Sequence, residues 1–384
     1  MQKKVCLGDL ATYINGYAFK PSDWGQEGLP IIRIQNLTGN AYEMNYYSGD
    51  LDKRYFIKSG DVLISWSASI GVYEWQNGDA WLNQHIFKVK FDKENVDKKY
   101  FQYAVGYVLD KSLKFAHGST MKHLTKKVFD SLQIPYYSID KQHQIVAKLF
   151  KLDKAIECYE EISDCLAKLV KSRFIEMFGD PVTNPMGWET GTLANVIRTK
   201  ASNGFFAKRN AYKPDGNVAV LGVVDVVNRM YSKTTGLPRT DATDSDIKKY
   251  RVEYGDVLFC RSSLVQAGIG KASIVPKDIS EDILFECHVI RLQLDMSKCI
   301  PEFIQLLTTT DYCRNQIMAE SKTATMTTIG QEGILRTHIY IPPLSLQNEF
   351  LSFVRLADKS KLSIQQSIET LQTLKAKLMQ DYFG

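Results

Sequence analysis

Across residues 142–179 apolar side chains recur at alternating steps of four and three: Ile145, Leu149, Leu152, Ile156, Tyr159, Leu166 and Val170. Ser163 and Arg173 fill two further beats with polar groups. A repeat of about 3.5 residues is a heptad seam, narrower than the stripe of an ordinary surface helix. No Pro or Gly interrupts the pattern before Gly179. At about 1.5 Å per residue the segment forms a rod of roughly 57 Å. Alone, such a helix would leave its seam in water, so the pattern demands a partner. The partner lies 205 positions further on, where Gln347 matches Gln142. The second seam reads Phe350, Val354, Ala357, Lys361, Ile364, Ile368, Leu371, Lys375 and Leu378, in the same phase. Phe383-Gly384 repeats Phe178-Gly179.

Before each helix the pattern changes to short β-type runs. Pro30-Ile31-Ile32-Arg33-Ile34 reads as a strand. Gly60-Asp61-Val62-Leu63-Ile64-Ser65 reads as a turn followed by a strand, and Ile86-Phe87-Lys88-Val89-Lys90-Phe91 alternates strictly. Residues 100–113 look helical, and Leu132-Gln133-Ile134-Pro135 is a short closing strand. The second half repeats this layout. Ala219-Val220-Leu221-Gly222-Val223 takes the place of the Ile31 strand, and residues 218–227, the longest apolar run, read as a strand. Tyr254-Gly255-Asp256-Val257-Leu258-Phe259 copies the Gly60 motif, and Glu286 to Leu292 answers Asn83 to Val89. Thr325-Met326-Thr327-Thr328-Ile329 answers Thr120-Met121-Lys122-His123-Leu124, and Ile341-Pro342 answers Ile134-Pro135. The offsets run from 195 to 207, which puts insertions in loops. The chain is a tandem duplication.

The predicted fold is α+β: two similar, mostly-β domains separated by two long helices that pair as an antiparallel coiled coil, with a pseudo-two-fold internal repeat. The boundaries are a first domain over residues 1–140, a first helix over 141–180, a second domain over 188–342 and a second helix over 343–384. Symmetry favours antiparallel pairing; parallel pairing would put both domains at one end of the rod. Gly179-Asp180-Pro181 and the turn formers through Trp188 mark the linker.

Composition narrows the class. A chain of 384 residues exceeds one ordinary core. A net charge of +5 permits nucleic acid as a partner without demanding it. Seven cysteines with no Cys-x-x-Cys pair give little support to zinc or a disulfide framework and fit a reducing, cytoplasmic setting. Residues 1–16 lack the apolar core of a signal peptide, and no run is long enough to span a bilayer, so no membrane role is expected.

Catalytic signatures fail on inspection. Gly268-Ile269-Gly270-Lys271-Ala272 lacks the leading Gly and the hydroxyl of a phosphate loop. Asp180-Pro181 and Asn184-Pro185 fall short of an aminomethyltransferase tetrad, and no acid cluster with a lysine suits a nuclease metal site. His85 and His288 recur at matching places, as scaffold residues would. What remains suits DNA contact. Ser119, Thr120 and Lys122 on the Gly118 loop, and Lys322 and Thr325 on its counterpart, can donate to phosphates or base edges. Ser65, Ser67, Arg261 and Ser262 stand where a strand runs out, and Lys20, Arg33, Lys208 and Arg209 occupy similar places in their units. The two loops equally fit a solvated polar surface, and Arg261 could equally pair with an acid as contact guanine.

The order of these segments resembles the specificity subunit of type I restriction–modification systems. Gly118-Ser119-Thr120-Met121 through Leu124, Ile134-Pro135, and Gln142-His143-Gln144-Ile145-Val146 carry the likeness. So do Met177-Phe178-Gly179-Asp180-Pro181, Asn184-Pro185-Met186-Gly187-Trp188 and Ile341-Pro342-Pro343-Leu344-Ser345-Leu346-Gln347. It covers the whole chain. Two departures are Pro135-Tyr136-Tyr137-Ser138, where the second copy has a Pro-Pro pair, and His143, where a carboxylate is usual. The resemblance implies two target recognition domains, each reading half of a gapped double-stranded DNA target, with the helices as spacing ruler and docking surface. It implies no catalytic residues, cofactor or metal on this chain. S-adenosylmethionine would belong to two modification subunits that methylate adenine, and ATP with Mg to restriction/translocase subunits. The competing classes are a self-contained DNA methyltransferase or nuclease, and a coiled-coil scaffold whose heads bind proteins.

Overall fold

The computed structural model describes residues 3–39, 43–115 and 125–384. The Gly118 loop, with Ser119, Thr120 and Lys122, lies outside the described residues. Two compact units emerge. One holds residues 1–161 with 365–384, the other residues 162–364. Each unit therefore contains one globular domain and a stretch of both long helices.

In the first unit the Gly60-Asp61 turn launches the strand Val62–Ser65, whose four residues are all buried. It is central in an antiparallel sheet ordered Thr12–Asn15, Ile86–Lys90, Val62–Ser65, Gly71–Glu74. Alternation sends its side chains to two faces. Val62 and Ile64 join a core with Tyr100, Phe101 and Ala104 of the helix Lys98–Phe115, while Leu63 packs with Ile32, Ile57 and Leu82 of a second sheet. In that sheet Leu29–Ile32 runs parallel to Ala80–Leu82. Lys4–Cys6 pairs with the closing strand Gln133–Pro135 and ties the start of the chain to the foot of the first long helix.

The second unit repeats each layer. Val257–Cys260 is central in a sheet ordered Ser202–Asn203, Val289–Leu292, Val257–Cys260, Ala272–Ile274. Val257 and Phe259 face one core and Leu258 another. Val218–Leu221 runs parallel to Ile283–Phe285, and Glu189–Thr192 pairs with the closing strand His338–Ile341. One sequence expectation is corrected here. Residues 218–227 are not a single strand, because the chain leaves the sheet at Gly222 and Val223–Val226 forms a helical turn. Gly222 N–H donates to the Asp225 carboxylate at 3.0 Å, so the polar residue inside the apolar run caps that turn. The Gly268–Lys271 decoy is a turn between two paired strands, with Gly270 at φ +63°.

The long helices are continuous over Ile139–Phe178 and Leu344–Phe383. Every seam residue is buried or partly buried, the polar Ser163, Arg173, Lys361 and Lys375 included. Pairing is antiparallel inside each unit. In the first, Lys148 meets the Tyr382 hydroxyl at 3.4 Å and Asp153 meets Lys375 at 2.5 Å. In the second, Phe174 and Phe178 pack on Phe350, with Arg173 3.4 Å from Glu349.

Helix ends repeat too. Phe178 packs edge-on against Phe303, and Phe383 packs against Tyr100. The first long helix stops at Gly179, φ +81°, a conformation glycine adopts without steric cost. The Trp188 indole then donates to the Phe178 carbonyl and the Tyr340 hydroxyl to that of Gly179.

Candidate nucleic-acid interface

The repeated Gly-Asp turn is scaffold. Asp61 accepts from the Lys58 amide and pairs with Lys88 at 3.0 Å; Lys88 also donates to the Phe56 carbonyl. Asp256 accepts from the Glu253 amide, lies 3.8 Å from Arg291 and takes a bond from Gln293; Arg291 donates to the Arg251 carbonyl. One cation thus ties a neighbouring strand to the turn in each unit. Burial pushes the Asp256 carboxyl up to about 6, against the opposing pull of the Glu253 amide and Arg291.

Beyond the turn, the central strand ends on the residues expected to meet DNA. In the second unit the structure gathers four of them. Arg261 closes onto the loop after the Ile283–Phe285 strand, its amide donating to the His288 carbonyl and its guanidinium to that of Cys287. Ser262–Ser263 then pairs with Thr327–Thr328, which pairs with Lys322–Thr323. Thr325 sits exposed at the tip between the last two strands. Arg261, Ser262, Lys322 and Thr325 therefore belong to one small sheet and its hairpin. Lys208 and Arg209 are exposed three and four residues after Phe205, which pairs with Glu286, next to Cys287.

The first unit differs at the matching place. Trp66 replaces Arg261, and its amide again donates to a histidine carbonyl, that of His85. So the recurring histidines serve through their backbone. Ser65 and Ser67 are corrected: they are 0 % and 6 % exposed, because the chain hooks back and the Ser65 hydroxyl donates to the Ser67 carbonyl. Trp66 stays half-buried at this strand end, and its indole donates to the Asn15 side chain. Arg33 lies over the Trp24 ring at 4.9 Å and is bonded to Asn45, so its guanidinium is engaged inside its own domain. Lys20 is exposed at the end of Asn15-Gly16-Tyr17-Ala18-Phe19-Lys20, which matches Asn203-Gly204-Phe205-Phe206-Ala207-Lys208. In both runs the glycine lets the chain touch the backbone at the end of a strand distant in sequence, at Leu82-Asn83 and Phe285-Glu286, where a Cβ would collide.

Sequence reasoning missed Trp24 and Trp66, and also an apolar tip. Leu264 and Val265 are 82 % and 68 % exposed directly after Ser262–Ser263, and Phe206 is 69 % exposed beside Lys208. A Leu-Val pair reads as core in a sequence; only its neighbours in space reveal that it stands out. Such side chains can meet thymine methyl groups. Among the described residues no three His, Cys, Asp or Glu side chains gather as metal ligands, and no helix is long and apolar enough to cross a membrane.

Comparison with known proteins agrees with this architecture. The family described as type I restriction modification DNA specificity domain matches residues 2–167 and again 185–373. The EcoBI type I specificity subunit of Escherichia coli is 21% identical over 91% of this chain and 77% of its own length. The MjaVIII specificity subunit of Methanocaldococcus jannaschii is 20% identical over 98% and 90%. Among solved structures, the type I system S subunit from M. genitalium has a TM-score of 0.55 at 13% identity, covering 100% of this chain and 96% of its own. A chain solved in work on complex assembly and conformational transition of the type I system has a TM-score of 0.59 at 14% identity, covering 99% and 97%.

Proposed function

This chain belongs to the type I restriction–modification DNA specificity family, and on that premise we propose that its two domains each read one half of a bipartite, gapped target on double-stranded DNA. Specificity subunits are non-catalytic, and catalysis in such systems belongs to partner subunits. The carrying observation is the unlike chemistry on a repeated scaffold. Where the central strand ends, one domain offers Trp66 with Ser67 turned inward, and the other offers Arg261 with Ser262 on a strand paired to Thr327–Thr328. Equal frames with unequal side chains suit an asymmetric target, since each half is read by its own donors and apolar groups. An arginine at this place can make a bidentate contact to guanine; a tryptophan cannot.

The long helices hold the two readers at a set spacing and dock two modification subunits, which carry S-adenosylmethionine and methylate adenine. Restriction/translocase subunits with ATP and Mg complete the assembly, which works in the cytoplasm. The test is to exchange residues 1–140 for the corresponding domain of another family member and map methylated adenines in cells carrying the modification subunit. One half of the target changes and the other stays. Both halves changing, or neither, would overturn the division of labour.

A further inference from the structure

Each unit holds a cleft where its stretch of paired long helices meets the shorter helix packed beside it. In the first unit that helix is Lys98–Phe115, and in the second it is Pro301–Leu307. The clefts are copies of one another. Asp153 on the first long helix and Asp358 on the second stand 205 residues apart, and each lines its own cleft.

The copies have diverged in charge. Asp153 is satisfied, with the Lys375 ammonium at 2.5 Å and the Tyr103 hydroxyl at 2.6 Å. In the second cleft Val170 stands in the place of Lys375, and Leu306 in the place of Tyr103. Asp358 loses both partners. Its Oδ2 is buried without a hydrogen bond, and burial raises its carboxyl pKa. The same cleft is lined by Lys171, Arg229, Lys271, Arg314 and Lys361, none of them in an ion pair among the described residues; Lys361 opposes the rise at Asp358, while Lys271 bonds to Asn228, Arg229 to the Val224 carbonyl and Arg314 to that of Ala267. The first cleft instead sets Asp110, Asp153, Glu157 and Glu160 against Lys111 and Lys375.

The second cleft measures about 480 Å³, and its floor is aliphatic: Ala167, Val170, Leu306 and Val354. Gln305, only 5 % exposed, lines it with an unpartnered Oε1. Among the described residues no aromatic ring lines it, so they offer no platform on which a base could stack. Five cations above an aliphatic floor match a peptide that carries carboxylates on one side and aliphatic anchors on the other.

Building on the reading that modification subunits dock on the helices, we propose that this basic cleft receives an acidic segment of one modification subunit, anchored by aliphatic side chains. The acidic cleft of the first unit repels the same segment. The two modification subunits consequently bind in unequal steps, and a complex with one of them accumulates first.

The test titrates the full chain with its modification subunit at low and moderate salt, following each step by native mass spectrometry and calorimetry. The charge reversal Lys171→Glu with Arg229→Glu weakens one binding step at least 30-fold, abolishes that step's salt dependence and leaves the other step intact. Because reversal could disturb folding, Lys171→Gln with Arg229→Gln is measured alongside, with the melting temperature as control, and weakens the same step at least fivefold. Glu157→Lys with Glu160→Lys in the first cleft leaves that step unchanged. Two steps unchanged by reversal, or both weakened alike, overturn the proposal. Loss of DNA affinity with both steps intact also overturns it and makes the cleft a phosphate groove. A wild-type chain that takes up no modification subunit at all defeats the underlying docking reading, and the proposal with it.

Discussion

At the residue scale, two repeated polar groups decide stability. Gln142 and Gln347 are both fully buried at the feet of the long helices. Gln142 accepts from the Asp97 amide and donates to the Tyr137 carbonyl; Gln347 accepts from the Ile300 amide and donates to the carbonyls of Lys298 and Pro342. Each latches its long helix to the start of the shorter helix beside it, Lys98–Phe115 or Pro301–Leu307. Gln347→Ala strands three backbone groups and costs about 3 kcal/mol, read as a lower denaturant midpoint; a loss under about 1 kcal/mol would refute the latch. Asp256 predicts an unusual pH response. Its folded-state pKa, about 6, lies above the unfolded value of about 3.9, so between these values the folded chain keeps a proton that the unfolded chain has released. The stability this proton brings is fully present below about pH 4 and is lost as pH rises through 6, a difference of up to ~3 kcal/mol. Asp256→Asn removes that dependence. Unfolding midpoints of wild type and variant between pH 5 and pH 7.5 check it, and parallel curves would refute it.

At the scale of elements, two of the polar beats in the seam form specific pairs across it, which predicts that they set the register. Lys375 reaches across to Asp153 and lies over the Tyr103 ring at 5.8 Å, and Arg173 joins Glu349 to Glu176. Neighbouring apolar beats would tolerate a slip of one heptad; these pairs would not. A double-mutant cycle of Lys375→Ala and Asp153→Ala should give a coupling of roughly 0.5–1 kcal/mol, since both groups are about one-third exposed. Zero coupling would return register control to the apolar beats. The heptad pattern was legible because a buried seam writes its period directly into the chain. The helical turn Val223–Val226 was not, since a short apolar run reads alike as strand or helix until its hydrogen bonds are seen. Of the site, Arg261, Ser262, Lys322 and Thr325 could be named from sequence as polar groups at strand ends and on a loop. That Ser65 and Ser67 turn inward could not, because burial depends on where the next segment folds.

At the scale of the whole molecule, the chain crosses between its two units inside both long helices, near residues 161–162 and 364–365. Each domain's core is finished by the far end of the helix that starts in the other half of the sequence: Phe383 against Tyr100, and Phe178 against Phe303. Truncation after residue 364 would therefore strip the first unit of Phe383 and Leu378 as well as shorten a rod. If the helices are the ruler we propose, one heptad inserted into both at matching depth, between residues 161 and 162 and between 364 and 365, keeps the seam in phase and changes the gap in the methylated target. Sequencing of modified DNA checks this, and an unchanged gap with full methylation would refute the ruler.

The duplication, the seam and the repeated strand motifs were determined by sequence alone, because periodic burial and a fixed offset are properties of the linear chain; symmetry only favoured the antiparallel sense of the pairing, which contacts such as Asp153–Lys375 and Phe174–Phe350 decide. Which polar groups face outward, which of two matching carboxylates keeps its partners, and the opposite charge of two clefts built from one ancestral plan were decided only by tertiary structure. Asp153 and Asp358 sit at matching positions in matching patterns. What separates them is the identity of residues far away in sequence, Lys375 against Val170 and Tyr103 against Leu306, and only packing brings those residues to the carboxylates.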